Sequence, residues 1–168
     1  MSLSMSKASA VVFIQILKGL HGVLDKAALH AESNKIDPSA LLQARLYPDM
    51  FPLTRQVQIC CDFAKGAAGR LAGDDFPVFE DSETSFADLK ARVSRTIAYV
   101  ESLDPSAIDG SETRDIALVR RGETTVHKGE SYLLHQALPN FYFHAVTAYD
   151  ILRHNGVPVG KRDFLGPA

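Results

Sequence analysis

The stretch LPNFYFHAVTAYDILRHNG, Leu138 to Gly156, decides how this chain is read, because it sets Asn140 and His144 four residues apart on one aromatic-rich helix. Side chains four apart on an α-helix leave the same face about one turn apart, the arrangement by which helical proteins offer two donors to a metal or a ligand. The pair here is an amide and an imidazole, and an amide is a much poorer donor to a transition metal. Asn155-Gly156 and Pro158 stop the helix at His154, whereas Pro139 either starts its main part or kinks a longer helix that begins near Glu130.

Working outward from that segment, apolar periodicity predicts three more long helices. The first runs from about Ser6 to Ser33, with Val12, Phe13, Ile16, Leu17, Leu20, Val23, Leu24 and Ala27 forming a stripe at steps of three and four. Asp37-Pro38 is an N-cap and first-turn signature, so Ser39 to Arg45 reads as a short linking helix before a turn from Tyr47 to Pro52. Pro52 suits the first position of the second long helix, which carries Leu53, Val57, Cys60, Cys61, Ala64, Ala68 and Leu71 on one face and ends near Gly73. After an acidic loop from Asp74 to Ser82, Thr84 or Ser85 caps the third helix, which turns Phe86, Leu89, Val93, Ile97 and Val100 inward and stops at Pro105. Between Asp109 and Gly129 the period shortens towards two. Ile116 and Leu118 alternate, Arg121-Gly122 supplies a turn, and Thr124 and Val126 alternate in return, the pattern of a β-hairpin. Val157 to Ala168 reads as an extended arm. Four helices that each bury one face pack most simply as a four-helix bundle, all-α apart from the small hairpin between helices three and four.

The 168 residues have the length of one domain, and 46% hydrophobic with 23% charged residues is ordinary globular composition. A formal net charge of −2, with Lys and Arg scattered, leaves no basic footprint for nucleic acid or an anionic membrane. Cys60 and Cys61 are sequence neighbours within a helix, where a mutual disulfide is strained, so both are expected reduced and buried, as in cytosol. The start lacks a signal-peptide pattern, and no run is expected to span a membrane. The dinucleotide, P-loop, zincin, CxxC and nucleophile-elbow motifs are missing, so the enzymes built on them lack support.

Four segments carry a resemblance: FPLTRQVQICCDFAK (51–65), FEDSETSFADL (79–89), the 138–156 stretch, and GKRDFLG (160–166). Together they resemble a bacterial family of unknown function within the DinB/YfiT-like metalloenzyme superfamily. The resemblance covers nearly the whole chain and implies a four-helix bundle, often dimeric, whose metal-binding members hold a divalent ion with one His from helix two and an HxxxH pair from helix four. Relatives include enzymes that transfer small thiols. Carried over position by position, His144 matches the second His of the pair, Asn140 stands where the first should be, and Gln58 is the best match to the helix-two His. One imidazole and two amides imply at most a weakly held zinc or nickel ion.

Each residue also has a plainer reading. His144 is a structural hydrogen-bonded histidine, a ligand-pocket residue or a metal ligand; Asn140 caps a turn or lines the pocket; Gln58 is solvated or at an interface, or joins them. Asp62 and Lys65 read as a surface ion pair, and the two cysteines as small core residues. Two functions follow as expectations. One is a small-molecule-binding, homodimeric bundle with a degenerate metal site; the other is a metal- or thiol-dependent small-molecule transferase using His144 as base or weak ligand.

Overall fold

A computed structural model describes residues 3–167; Met1, Ser2 and Ala168, which the single-domain reading includes, lie outside them. The helices are α1 (Met5–Ala8), α2 (Ala10–Ser33), α3 (Pro38–Leu42), α4 (Leu53–Ala72), α5 (Phe86–Ser102), α6 (Pro105–Ile108), α7 (Gly129–Tyr132), α8 (Leu138–His154) and α9 (Lys161–Leu165). Strands β1 (Asp115–Arg120) and β2 (Glu123–Lys128) form an antiparallel hairpin between α6 and α7, with Ile116 opposite His127 and Leu118 opposite Thr125. The fold is thus mostly helical, with four long helices, α2, α4, α5 and α8, around one apolar core.

Local chemistry sets most boundaries. Ser85 accepts a hydrogen bond from the Asp88 backbone while Asp88 reaches back to the Ser85 N–H, a capping box that starts α5. Gly73, at φ +73°, closes α4 in the left-handed conformation that favours glycine. The α2 stripe from Phe13 to Ala27 is buried, and the Phe13 and Phe141 rings meet edge to face at 4.9 Å. Helix α4 lies at the centre, packed on α8 along one side and on α5 along another.

Several expectations change. The first helix breaks at Ser9, and the linking helix is Pro38–Leu42, capped by Asp37. Pro52 is the N-cap of α4 rather than its first helical residue. Helical backbone before α8 starts at Gly129 and passes through a π-helical turn, Leu133–Ala137. A proline ring at 139 crowds the carbonyl four residues back, and a widened turn immediately upstream relieves that crowding. The tail is not an extended arm: α9 lies on α2, where Lys26 pairs with Asp163 at 2.8 Å and Gln15 Nε2 donates to the Leu165 carbonyl at 3.2 Å. The Met5–Ser33 run is, by length and composition alone, apolar enough to cross a membrane, with mean hydropathy 1.3, contrary to expectation. Its buried stripe faces the core, and core helices of globular domains pass the same test.

Candidate functional site

His144 projects from α8 towards α4, where its ring stacks on Phe63 at 5.8 Å and its Nδ1 lies 2.7 Å from Gln56 Oε1. The Gln56 amide nitrogen donates to the Phe51 carbonyl at 3.1 Å, and a carbonyl only accepts. The orientation of the Gln56 amide is therefore fixed, its oxygen faces His144, and the neutral imidazole carries its proton on Nδ1. Nε2 is left with the lone pair. Burial, reinforced by the Arg55 charge, holds the His144 pKa below the usual imidazole value, so the neutral form prevails near neutral pH.

The other two predicted residues point elsewhere. Asn140 Nδ2 donates to the Gln136 carbonyl of the π turn at 2.7 Å, a bond along its own helical run. Gln58 is buried rather than solvated and donates to Glu83 Oε2 at 2.9 Å while accepting from Arg55 Nη1 at 3.2 Å. Among the described residues no hydrogen bond joins Gln58, Asn140 and His144 to one another. Helical geometry explains this: two residues apart on α4 is a rotation of about 200°, so Gln56 and Gln58 occupy nearly opposite faces, whereas Gln56 and Phe63, seven apart, share one. The α4 amide that meets His144 is therefore that of Gln56.

On the Gln58 side lies a cluster that the sequence did not reveal. Arg92 of α5 has a fully buried side chain. Its Nη1 donates to Glu83 Oε1 at 3.1 Å and to the Glu80 carbonyl at 3.0 Å, and its Nη2 reaches Asp62 and Asp81, each at 3.0 Å. Burial alone lowers the Arg92 pKa, but the hydrogen bond it donates to Glu83 and the charges of Asp62 and Glu83 outweigh it, and the net shift is upward. Lys65 is also buried and bonds Asp62 at 2.9 Å, so the expected surface pair is part of this interior network. The arrangement clamps the acidic 74–84 loop onto α4 and α5. Its only sequence signal was the density of acids in that loop beside the helical arginine.

A cleft of about 230 Å³ opens between these two clusters. Asp62, Phe63 and Arg70 of α4 form its floor, Tyr132 and Gln136 one wall, and Leu118 and Val119 of the hairpin its roof. Phe63 thus touches both the cleft and His144, and Gln136 both the cleft and Asn140. Widened π turns recur at functional sites because they re-aim side chains within a helix.

The donor set does not fit a three-imidazole zinc or nickel centre. His144 can offer Nε2, but Asn140 and Gln58 are amides with other partners, and among the described residues no three His, Cys, Asp or Glu side chains gather as ligands. Cys60 and Cys61 are free and buried; burial raises both thiol pKa values, that of Cys61 to about 12, which removes them as nucleophiles.

No curated protein matches the chain. Among solved structures, a DinB family member protein from Shewanella denitrificans is 40% identical, with a TM-score of 0.89 over 96% of this chain and 91% of that one. The model of the family described as a domain of unknown function (DUF1993) matches residues 5–165, and with nearly the whole described chain covered, this protein belongs to that DinB-like family.

Proposed function

We propose that this protein is a cytoplasmic small-molecule-binding member of the DinB/YfiT-like four-helix-bundle proteins, in which a hydrogen-bonded polar layer stands where relatives hold a metal. The observation that carries this reading is the destination of three side chains: His144 on Gln56, Asn140 on the Gln136 carbonyl, Gln58 on Glu83. Each is committed to a protein partner, and the cleft beside them has the mixture of apolar walls and a few polar groups that small organic ligands use.

One feature keeps a second reading, a small-molecule transferase, in view. The neutral imidazole with its lone pair on Nε2 is the form that acts as a general base or as a metal ligand. Elemental analysis of protein purified without a histidine tag tests the choice. Zinc and nickel are expected well below one per chain and removable by EDTA without a change in melting temperature. A stoichiometric ion that shifts the His144 ring resonances transfers the protein to the transferase reading. Fragment screening by NMR should place bound molecules at Phe63 and Gln136; shifts confined to other surfaces reject the cleft.

A further inference from the structure

The floor of the cleft holds a cation whose charge no side chain among the described residues balances. Arg70 is half-buried, and its interactions are a 3.4 Å hydrogen bond from Nη1 to the Tyr132 hydroxyl and a position over the Phe76 ring, 4.6 Å from its centroid. Neither partner is anionic, and contact with a ring face uses none of the five N–H donors of a guanidinium. Among the described residues no carboxylate pairs with Arg70. The acid that lines the same cleft, Asp62, is already held through its Oδ1 by Arg92 at 3.0 Å and Lys65 at 2.9 Å, so it is neutralised from behind.

The helix makes room for this guanidinium. A Cβ on Gly66, one turn before Arg70, would lie 2.7 Å from Arg70 Nη1, inside any normal contact. Beside the charge stand Phe63, on the same face of α4, and Leu118 of the hairpin, an apolar surface for a hydrocarbon or aromatic body. An arginine fork presented at the bottom of a small cleft with an apolar wall matches a planar carboxylate geometrically as well as electrically.

We propose that the cleft selects small organic carboxylates, with Arg70 receiving the carboxylate and the Phe63–Leu118 wall receiving the body. This deepens the binding function proposed above and rests on it. Benzoate and its neutral isostere benzamide, titrated into the full-length protein and followed by NMR, test both levels. Benzoate is expected to shift the Arg70 side-chain and Phe63 resonances and to bind roughly tenfold or more tightly than benzamide, the scale of charge-assisted hydrogen bonds. Arg70→Gln should abolish that preference, and Arg70→Lys should restore part of it.

Gly66→Ala gives a test independent of Arg70 chemistry. The clash is with the far end of a flexible side chain, and alanine is the better helix former, so the melting temperature should hold or rise while benzoate binding weakens several-fold. Equal binding of benzoate and benzamide at the cleft overturns the carboxylate preference and leaves the cleft as a binding site. Failure of both probes to perturb the cleft overturns the two readings together. Unchanged benzoate affinity in Arg70→Gln assigns recognition to another group and rejects the role of Arg70.

Discussion

Arg92 and His144 show how much of this protein hangs on single polar groups taken out of water. A buried guanidinium is tolerable only while its carboxylates are in place, and Glu83, with a side chain 4% exposed, is nearly as buried as Arg92 itself. Arg92→Met should therefore destabilise the protein by about 3–5 kcal/mol, because it strands Glu83 rather than because the pair itself adds that much. Adding Glu83→Met should recover a large part of the loss. Urea denaturation of the two single variants and the double variant measures the coupling; strictly additive losses would reject it. His144 makes a prediction in pH. Its unfolded imidazole titrates near 6.5 and its folded one lower, so below pH 6.5 the unfolded state binds more protons than the folded state. Stability then falls as the pH drops through 6.5 and levels off beneath the folded pKa. His144→Gln removes this contribution, and its stability should depend less steeply on pH between about 7 and about 5. Parallel profiles for the two proteins would reject the burial of a neutral imidazole at this position.

Among the elements, the joints depend on backbone passing close to backbone. Gly129, where β2 turns into α7, has its amide bonded to the Arg114 carbonyl at 2.9 Å, and a Cβ there would fall 1.9 Å from the Ser111 carbonyl oxygen. Unlike the Gly66 contact, this clash is with main chain and cannot be relieved by a rotamer. Gly129→Ala should cost at least the roughly 1–3 kcal/mol typical of overpacking, and it should loosen the hairpin first, since a two-stranded hairpin has little stability of its own. Hydrogen exchange at β1 amides compared with α4 amides tests this: uniform acceleration in both would place the damage in the core instead. The hairpin contributes Leu118 and Val119 to the cleft, so its integrity bears directly on ligand access.

At the level of the whole molecule, association and the tail separate into two questions. Phe164 of the tail packs on its own Tyr149 at 5.8 Å and α9 covers α2, so this part of the tail is used within its own chain. Deleting residues 163–168 should lower the melting temperature without changing the sedimentation coefficient beyond the loss of mass. The homodimer remains a proposal, now resting on α8, whose Tyr142, Phe143 and Val146 expose apolar surface on one side of the helix. Sedimentation at micromolar concentration should give a dimer that Phe143→Glu converts to a monomer; a wild-type monomer at every concentration rejects it.

The sequence by itself determined the four long helices, the hairpin and several helix ends, because hydrophobic period, N-cap chemistry at Asp37 and Ser85, and left-handed glycine at Gly73 act within a few residues. It also pointed to His144. What only the tertiary structure decided was the fate of the polar residues on α4. Reading one buried stripe per helix leaves Gln56, Gln58 and Lys65 outside the core. Helix α4, however, is covered by α8, by α5 and by the acidic loop, so all three are buried: Gln56 and Gln58 are paired with groups far along the chain, His144 and Glu83, and Lys65 with its helix neighbour Asp62, which Arg92 of α5 also holds. A helix's period reports how its own side chains are arranged around its axis. How many neighbours enclose that axis is set by long-range packing, and that number chose which amide faces the histidine.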